Sequence, residues 1–265
     1  MERKKDNKKN LWLKVLVTLL FLYGFSLLIF IATNDPIIFP TTLLLGSFMV
    51  PITYSAFFYE RRSLGKLSRL RVITAFTYGG VLGVLAASIL EPFVIRKLDF
   101  FTAFGIGLIE EFAKILSVVL IARGVKLKSE LNGIILGAAT GMGFAALEST
   151  GYAFTAFLAS GGNLTDTVFV TLLRGLLSPV GHGMWTAILA GVMFREAKHN
   201  KLRLNLNVIE AYLGVSFLHG LWDGLPSLFT EIVLPGSDFF LAEAIVAITG
   251  FYLLAKLWKE AKKTN

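Results

Sequence analysis

Apolar residues run along this chain in eight blocks separated by short polar connections. A helix needs about 20 consecutive apolar residues to cross roughly 30 Å of hydrocarbon. The blocks Leu11 to Ala32, Ile37 to Phe58, Val72 to Ile95, Phe100 to Ala122, Leu131 to Leu158, Val168 to Phe194, Val208 to Thr230 and Phe239 to Trp258 each reach that length. Turn-forming residues mark three of the joins, "NDP" at 34–36, "SGGN" at 160–163 and "PGS" at 235–237. The pattern predicts an all-α, polytopic membrane protein of about eight transmembrane helices, organised as a single integral membrane domain over residues 1–265. The basic start "MERKKDNKK" has the charge of a signal-peptide n-region. The apolar run behind it is longer than such a peptide uses and has no small-residue cleavage pattern before Asn34, so it is expected to remain as the first helix.

Composition agrees with the pattern. With 55% hydrophobic residues, 23 Phe and only 17% charged residues, the chain is too apolar for an ordinary soluble domain. Zero cysteines excludes disulfides, thiolate metal sites and a cysteine nucleophile, leaving carboxylates, imidazoles, hydroxyls and amines for any catalysis.

Charge then orients the helices. Segments 1–10, 59–71, 123–130, 195–207 and the tail from Lys256 hold 21 of the 26 Lys and Arg residues. The opposite connections hold only Arg96 and Lys97, while Lys14, Lys114 and Arg174 fall within spans. That alternation is what the positive-inside rule asks of eight helices with both termini cytoplasmic, residues 1–10 forming a basic cytoplasmic N-terminus. The net charge of +8 is therefore topological. Scattered over five membrane-proximal segments without a recognition module, it argues against nucleic-acid binding.

Ionisable groups inside spans cost a few kcal/mol each, about 2.5–3.5 on insertion scales, and mark functional interiors. Four consecutive spans carry them: Glu110, Glu111 and Lys114 in the fourth, Glu148 in the fifth, His182 in the sixth, His219 and Asp223 in the seventh. Positions four apart share a helix face, so Glu110 can reach Lys114, His219 and Asp223 project together, and His182 shares a side with Thr186. At 1.5 Å per residue Glu111 and His219 fall about 17 Å from one end of their helices, near the midplane, and Glu148 lies nearer the outer face. Imidazoles and carboxylates are ordinary zinc ligands, and a neighbouring glutamate can take a proton from water. A metal-free route, with a glutamate and a histidine polarising the water, is chemically open too.

At these residues the chain resembles a known family. "EEFAK" (Glu110, Glu111, Lys114) matches EExxK, "FAALE" (Phe144, Glu148) matches FxxxE and "HGLWD" (His219, Asp223) matches HxxxD, in that order, with His182 between the last two. This looks like the PrsW family of intramembrane metalloproteases, relatives of the CAAX prenyl endopeptidase and Abi proteins, over a core of about residues 100–230. The resemblance implies hydrolysis of a peptide bond in a membrane-anchored protein such as an anti-sigma factor, in a bacterial plasma membrane. It implies Glu110 and Glu111 as the water-activating pair with Lys114 as their charge partner. It implies Glu148, His182, His219 and Asp223 as ligands of zinc or another divalent metal, or as oxyanion stabilisers. In the prenyl-endopeptidase relatives the second motif ends in histidine and the last in asparagine. Glu148 and Asp223 make the present site more anionic, which favours a bound cation.

Other readings stand beside this one. Buried Glu, His and Asp could relay protons or bind ions in a transporter, and Pro179, Gly181, Gly183 and Pro226 could break the sixth and seventh helices as such proteins require. A non-catalytic scaffold or immunity protein is the third reading. Glu91 and Arg174, nearer the outer ends, are expected to snorkel, and His199 to be solvated in the basic loop "REAKHNKLR". Gly133, Gly137 and Gly141 repeat every four residues and predict a seam where a neighbouring helix approaches closely.

Overall fold

The computed structural model describes residues 10–61, 67–95, 100–123, 129–199, 201–232 and 239–263. The expected turn at 235–237, the basic start at 1–9 and the Arg96–Lys97 pair lie outside the described residues. Helices occupy nearly all the rest: α1 (Leu11–Thr33), α2 (Ile38–Glu60), α3 (Arg69–Phe93), α4 (Phe100–Ile121), α5 (Glu130–Ala159), α6 (Leu164–Arg195), α7 (Leu206–Ile232) and α8 (Phe239–Lys263). No strand occurs among the described residues. Five of these helices, α1, α2, α3, α5 and α6, are long and apolar enough to cross a membrane by length and composition. The eight expected spans thus reduce to five on that measure. In α4 the reason is physical, since Glu110, Glu111 and Lys114 interrupt the apolar run.

α5 is the central helix. Every residue from Glu130 to Ala146 is buried, as expected of a helix apolar on all sides and enclosed by others, and it packs on α2, α3, α4, α6 and α8. Its glycine seam faces the second half of α6 in antiparallel register. A Cβ on Gly133, Gly137 or Gly141 would overlap the carbonyl oxygen of Ala190, Thr186 or His182 respectively. The expected close approach is therefore present, with α6 as the neighbour.

Among the described residues, two helices carry an internal irregularity next to α5. α3 contains a π turn at Ala75–Gly79, and the Thr140 hydroxyl of α5 donates to the Ala75 carbonyl at 3.2 Å, partnering an oxygen at that turn. α6 is broken. A rod over Leu164–Leu177 ends in a 3₁₀ turn at Ser178–Val180, and a second rod starts at His182 after Gly181. Pro179 explains the stop, because its ring cannot sit inside a continuing helix. Pro226 does not break α7, which runs helical to Ile232. Beyond α6, Glu196 accepts from Asn205 Nδ2 at 2.6 Å. Hydrogen bonds from Asn207, and then from Asn205, hold its carboxyl below the usual carboxylate range.

Candidate active site

α4 and α7 are brought together by small residues. A Cβ on Gly107 would meet the Ser216 backbone oxygen, and one on Gly220 would meet the Phe104 backbone. The Tyr212 hydroxyl adds a 2.7 Å bond to the Leu108 carbonyl. This approach seats His219 against the next turn of α4. From α5 comes Glu148, and the start of the second α6 rod supplies His182 and Thr186.

Lys114 is the hub. Fully buried, its ammonium donates to Glu110 Oε2 and Glu111 Oε1, both at 2.9 Å, and lies 2.8 Å from His182 Nδ1. An ammonium has three protons, and these three acceptors use all of them. The Phe144 ring lies 4.0 Å from the same nitrogen, which gives the aromatic position of the FxxxE motif a cation–π role.

The two adjacent glutamates have different surroundings. Glu111, with no exposure, takes Lys114 and His219 Nδ1 on Oε1, the latter at 3.1 Å, and the Thr186 hydroxyl on Oε2 at 3.1 Å. Its lone pairs are engaged by protein donors. Glu110 instead reaches a cavity of about 330 Å³ whose walls include Glu91, Phe144, Glu148, Tyr152 and Asp223. A second cavity of about 150 Å³, touching Ser149, Leu173, Arg174, His182 and Trp222, lies beyond His182.

The histidines are oriented by neighbours. His182 Nε2 is 2.9 Å from Glu148 Oε2 and Nδ1 is 2.8 Å from the Lys114 ammonium, so the ring bridges an ammonium and a carboxylate. His219 stacks on Trp185, centroids 4.6 Å apart, and Trp185 meets the His182 ring edge-on at 5.5 Å. With its Nδ1–H donating to Glu111, His219 turns Nε2 toward Asp223 Oδ2 at 3.3 Å and Glu110 Oε2 at 3.6 Å. A lone pair facing two carboxylate oxygens calls for a positive charge between them, either a proton or a metal ion.

Distances fit an ion. One ligand atom each from Glu110, His182 and His219 lie within 4.8 Å of one another. With zinc bonds of 2.0–2.2 Å, ligand atoms on a tetrahedron sit about 3.4 Å apart, and the Glu110–His219, Glu110–His182 and His219–Asp223 separations are 3.6, 3.8 and 3.3 Å. The compact group therefore includes Glu110, expected in the water-activating pair. Glu148 Oε2, expected as a ligand atom, is held by His182 and by Arg174 Nη2 at 2.7 Å.

Arg174 corrects the sequence reading. It does not snorkel outward, because its guanidinium pairs with Glu148 and stacks over the Tyr152 ring at 3.9 Å. Glu91 is likewise turned to the cavity that Glu110 lines. The site thus holds a second fixed cation, and Glu91, Glu110, Glu111, Glu148 and Asp223 face Lys114 and Arg174 with three carboxylates in excess. A divalent ion would offset part of that charge. Trp185, Thr186 and Arg174 complete the constellation, and of these only the Thr186 position, four after His182, was signalled by spacing.

Comparison with known proteins agrees with this chemistry. No curated protein and no solved structure matches the chain. Residues 68–254 match the PrsW family intramembrane metalloproteases, a span that contains every residue of the constellation. Since that match covers most of its length, the chain belongs to the PrsW family of intramembrane metalloproteases.

Proposed function

We propose that this membrane protease hydrolyses a peptide bond of a membrane-anchored protein, such as an anti-sigma factor, with Glu110 as the base that activates water. The observation that carries the assignment is the contrast between the two glutamates: Glu110 opens to the cavity, whereas Glu111 is enclosed by Lys114, His219 and Thr186. Glu110 takes a proton from water as the water oxygen bonds to the scissile carbonyl carbon. It returns that proton to the amide nitrogen as the C–N bond breaks, releasing a carboxylate and an amine. Glu111 orients His219 through Nδ1 and holds the charge of Lys114, which in turn fixes Glu110.

His219 and Asp223, with His182 beside them, would hold a divalent ion next to Glu110, zinc by donor type, whose charge would lower the pKa of water in the cavity and polarise the scissile carbonyl. Glu111 fits the outer-shell carboxylate that fixes a ligating imidazole's tautomer. Arg174 and Glu148 hold His182 from its other nitrogen.

The membrane setting supports the substrate class. We place the protein in a bacterial plasma membrane with eight spans and both termini cytoplasmic, from the distribution of basic residues. Reporters fused after residues 34, 98, 162 or 236 then read extracytoplasmic and those after 65, 127, 200 or 265 cytoplasmic, and two adjacent connections on one side would overturn that topology. For the reaction, Glu110→Gln in proteoliposomes with a single-pass substrate should abolish fragment formation while leaving insertion intact, since the amide keeps the volume but cannot accept a proton. Near-normal turnover of Glu110→Gln would remove Glu110 as the base.

A further inference from the structure

A large apolar concavity lies away from the catalytic constellation, between α1, α2, the break in α6 and α8. It measures about 610 Å³, and Trp12, Tyr54, Phe57, Phe251 and Trp258 form much of its walls. Three features give it a direction. At one end, where α1 begins and α2 and α8 finish, the groove has a cationic rim. Arg61 is held there by a 2.7 Å bond from Nη1 to the Phe57 carbonyl, with its guanidinium 3.5 Å over the Phe57 ring. On α8, Lys262 Nζ lies 5.4 Å from the ring of Trp258, which is itself part of the wall.

One acid at this rim, Glu60, divides its two oxygens between Arg61 and the start of α1. Glu60 is 3.9 Å from Arg61, but its Oε1 accepts the backbone N–H groups of Leu11 and Trp12 and so caps the positive end of α1. Trp12 and Trp258 stand at the level of these charges, as aromatic residues do at a membrane interface. At the other end, Pro179 and Val180 of the 3₁₀ turn line the groove, three and two residues before His182 respectively.

We propose that this groove binds an anionic phospholipid of the leaflet at its rim, the phosphate on Arg61 and Lys262 and one acyl chain running inward to the α6 break. An apolar trough ending in two cations is complementary to a molecule with an apolar tail and a negative head, and a guanidinium fork suits phosphate oxygens. Basic pockets between membrane helices on the cytoplasmic side are recognised sites for such headgroups. A transmembrane helix of a partner or a second copy would fill the trough but bring no phosphate to the rim cations. The lipid tail would pack against the turn that places His182, on the side away from Glu148, so the site couples leaflet composition to that turn. The binding claim stands independently of the hydrolytic reading.

The four tryptophans of the chain supply the test. Trp12 and Trp258 line the groove, while Trp185 is fully buried beside His219. In vesicles carrying brominated phosphatidylglycerol or brominated phosphatidylcholine at equal mole fraction, tryptophan quenching should be at least threefold more sensitive to the anionic lipid. Trp12→Phe/Trp258→Phe should remove that preference, locating it in the groove. Arg61→Gln/Lys262→Gln should abolish it and Arg61→Lys should retain part. Equal quenching by the two lipids in the unmodified protein means unselective contact and overturns the proposal. So does quenching by neither, which means that a protein helix fills the trough, and so does an undiminished preference in the doubly neutral variant. The unmodified protein's lipid comparison decides the matter even where a variant fails to fold.

Discussion

Replacing Lys114 by Met removes the hub of the site while nearly preserving its volume. Three acceptors lie within 2.9 Å of the ammonium, two of them carboxylates on the same helix. Truncating one partner of a buried ion pair costs about 3–5 kcal/mol, because the remaining charge stays desolvated. The thioether methyl restores under about 1 kcal/mol of apolar burial. For a chain of this size each kcal/mol moves the melting temperature by about 2–4 °C, so a net loss of about 2–5 kcal/mol should make Lys114→Met melt roughly 4–20 °C lower. Glu111→Gln in the same background tests the cause, since it removes one of the stranded charges. The double variant should recover roughly 0.5–3 kcal/mol relative to the sum of the single changes. Melts in detergent followed by tryptophan fluorescence, at one scan rate because unfolding of such proteins is often irreversible, supply the measurement. A Lys114→Met variant melting within about 2 °C of the parent, or strictly additive losses, would refute the reasoning that the buried ammonium is held by three acceptors whose charge it offsets.

Packing and metal content supply the remaining predictions. Gly137→Ala should be strongly destabilising, because its methyl would overlap the Thr186 carbonyl, whereas Gly151→Ala, with nothing within 4 Å of the added carbon, should be neutral or stabilise by about 0.5–1 kcal/mol through helix propensity; paired thermal melts read both. Purified protein should carry about one divalent ion per chain, and His219→Ala or Asp223→Asn should lower that occupancy. Elemental analysis finding less than about a tenth of an ion per chain, with cleavage insensitive to phenanthroline, would instead place a proton between His219 and the carboxylates.

Much of the site could be read from spacing alone, because the relevant pairs lie within one helix. Glu110 with Lys114 and His219 with Asp223 are one turn apart, and the structure joins each pair. The glycine repeat on α5 was legible for the same reason. What spacing could not supply was partnership between helices. Arg174 lies 26 residues from Glu148, and its apparent depth suggested an outward-facing side chain, yet the pairing depends on how the first rod of α6 leans on α5. The distinction between Glu110 and Glu111 was also hidden, since adjacent residues on a helix point about 100° apart and only the packed neighbours decide which one meets a cavity. Gly107 and Gly220 gave no periodic signal, each being a single contact point. The break in α6 was half legible: Pro179 and Gly181 announced it, whereas Pro226 in α7 carried a similar signal and produced none.

The antiparallel seam between α5 and α6 has a consequence for how damage to this enzyme would look. Gly133, Gly137 and Gly141 face the oxygens of Ala190, Thr186 and His182, so contacts recur every four residues on both helices. A toothed surface of this kind can be engaged or can jump by a whole turn, about 6 Å, and intermediate offsets drive a carbonyl into a backbone. One jump carries His182 beyond the reach of Lys114 and Glu148 together. Impairment of the seam should therefore appear as a mixed population, some molecules turning over at the normal rate and the others silent, so that active-site titration falls while turnover per titrated site stays constant.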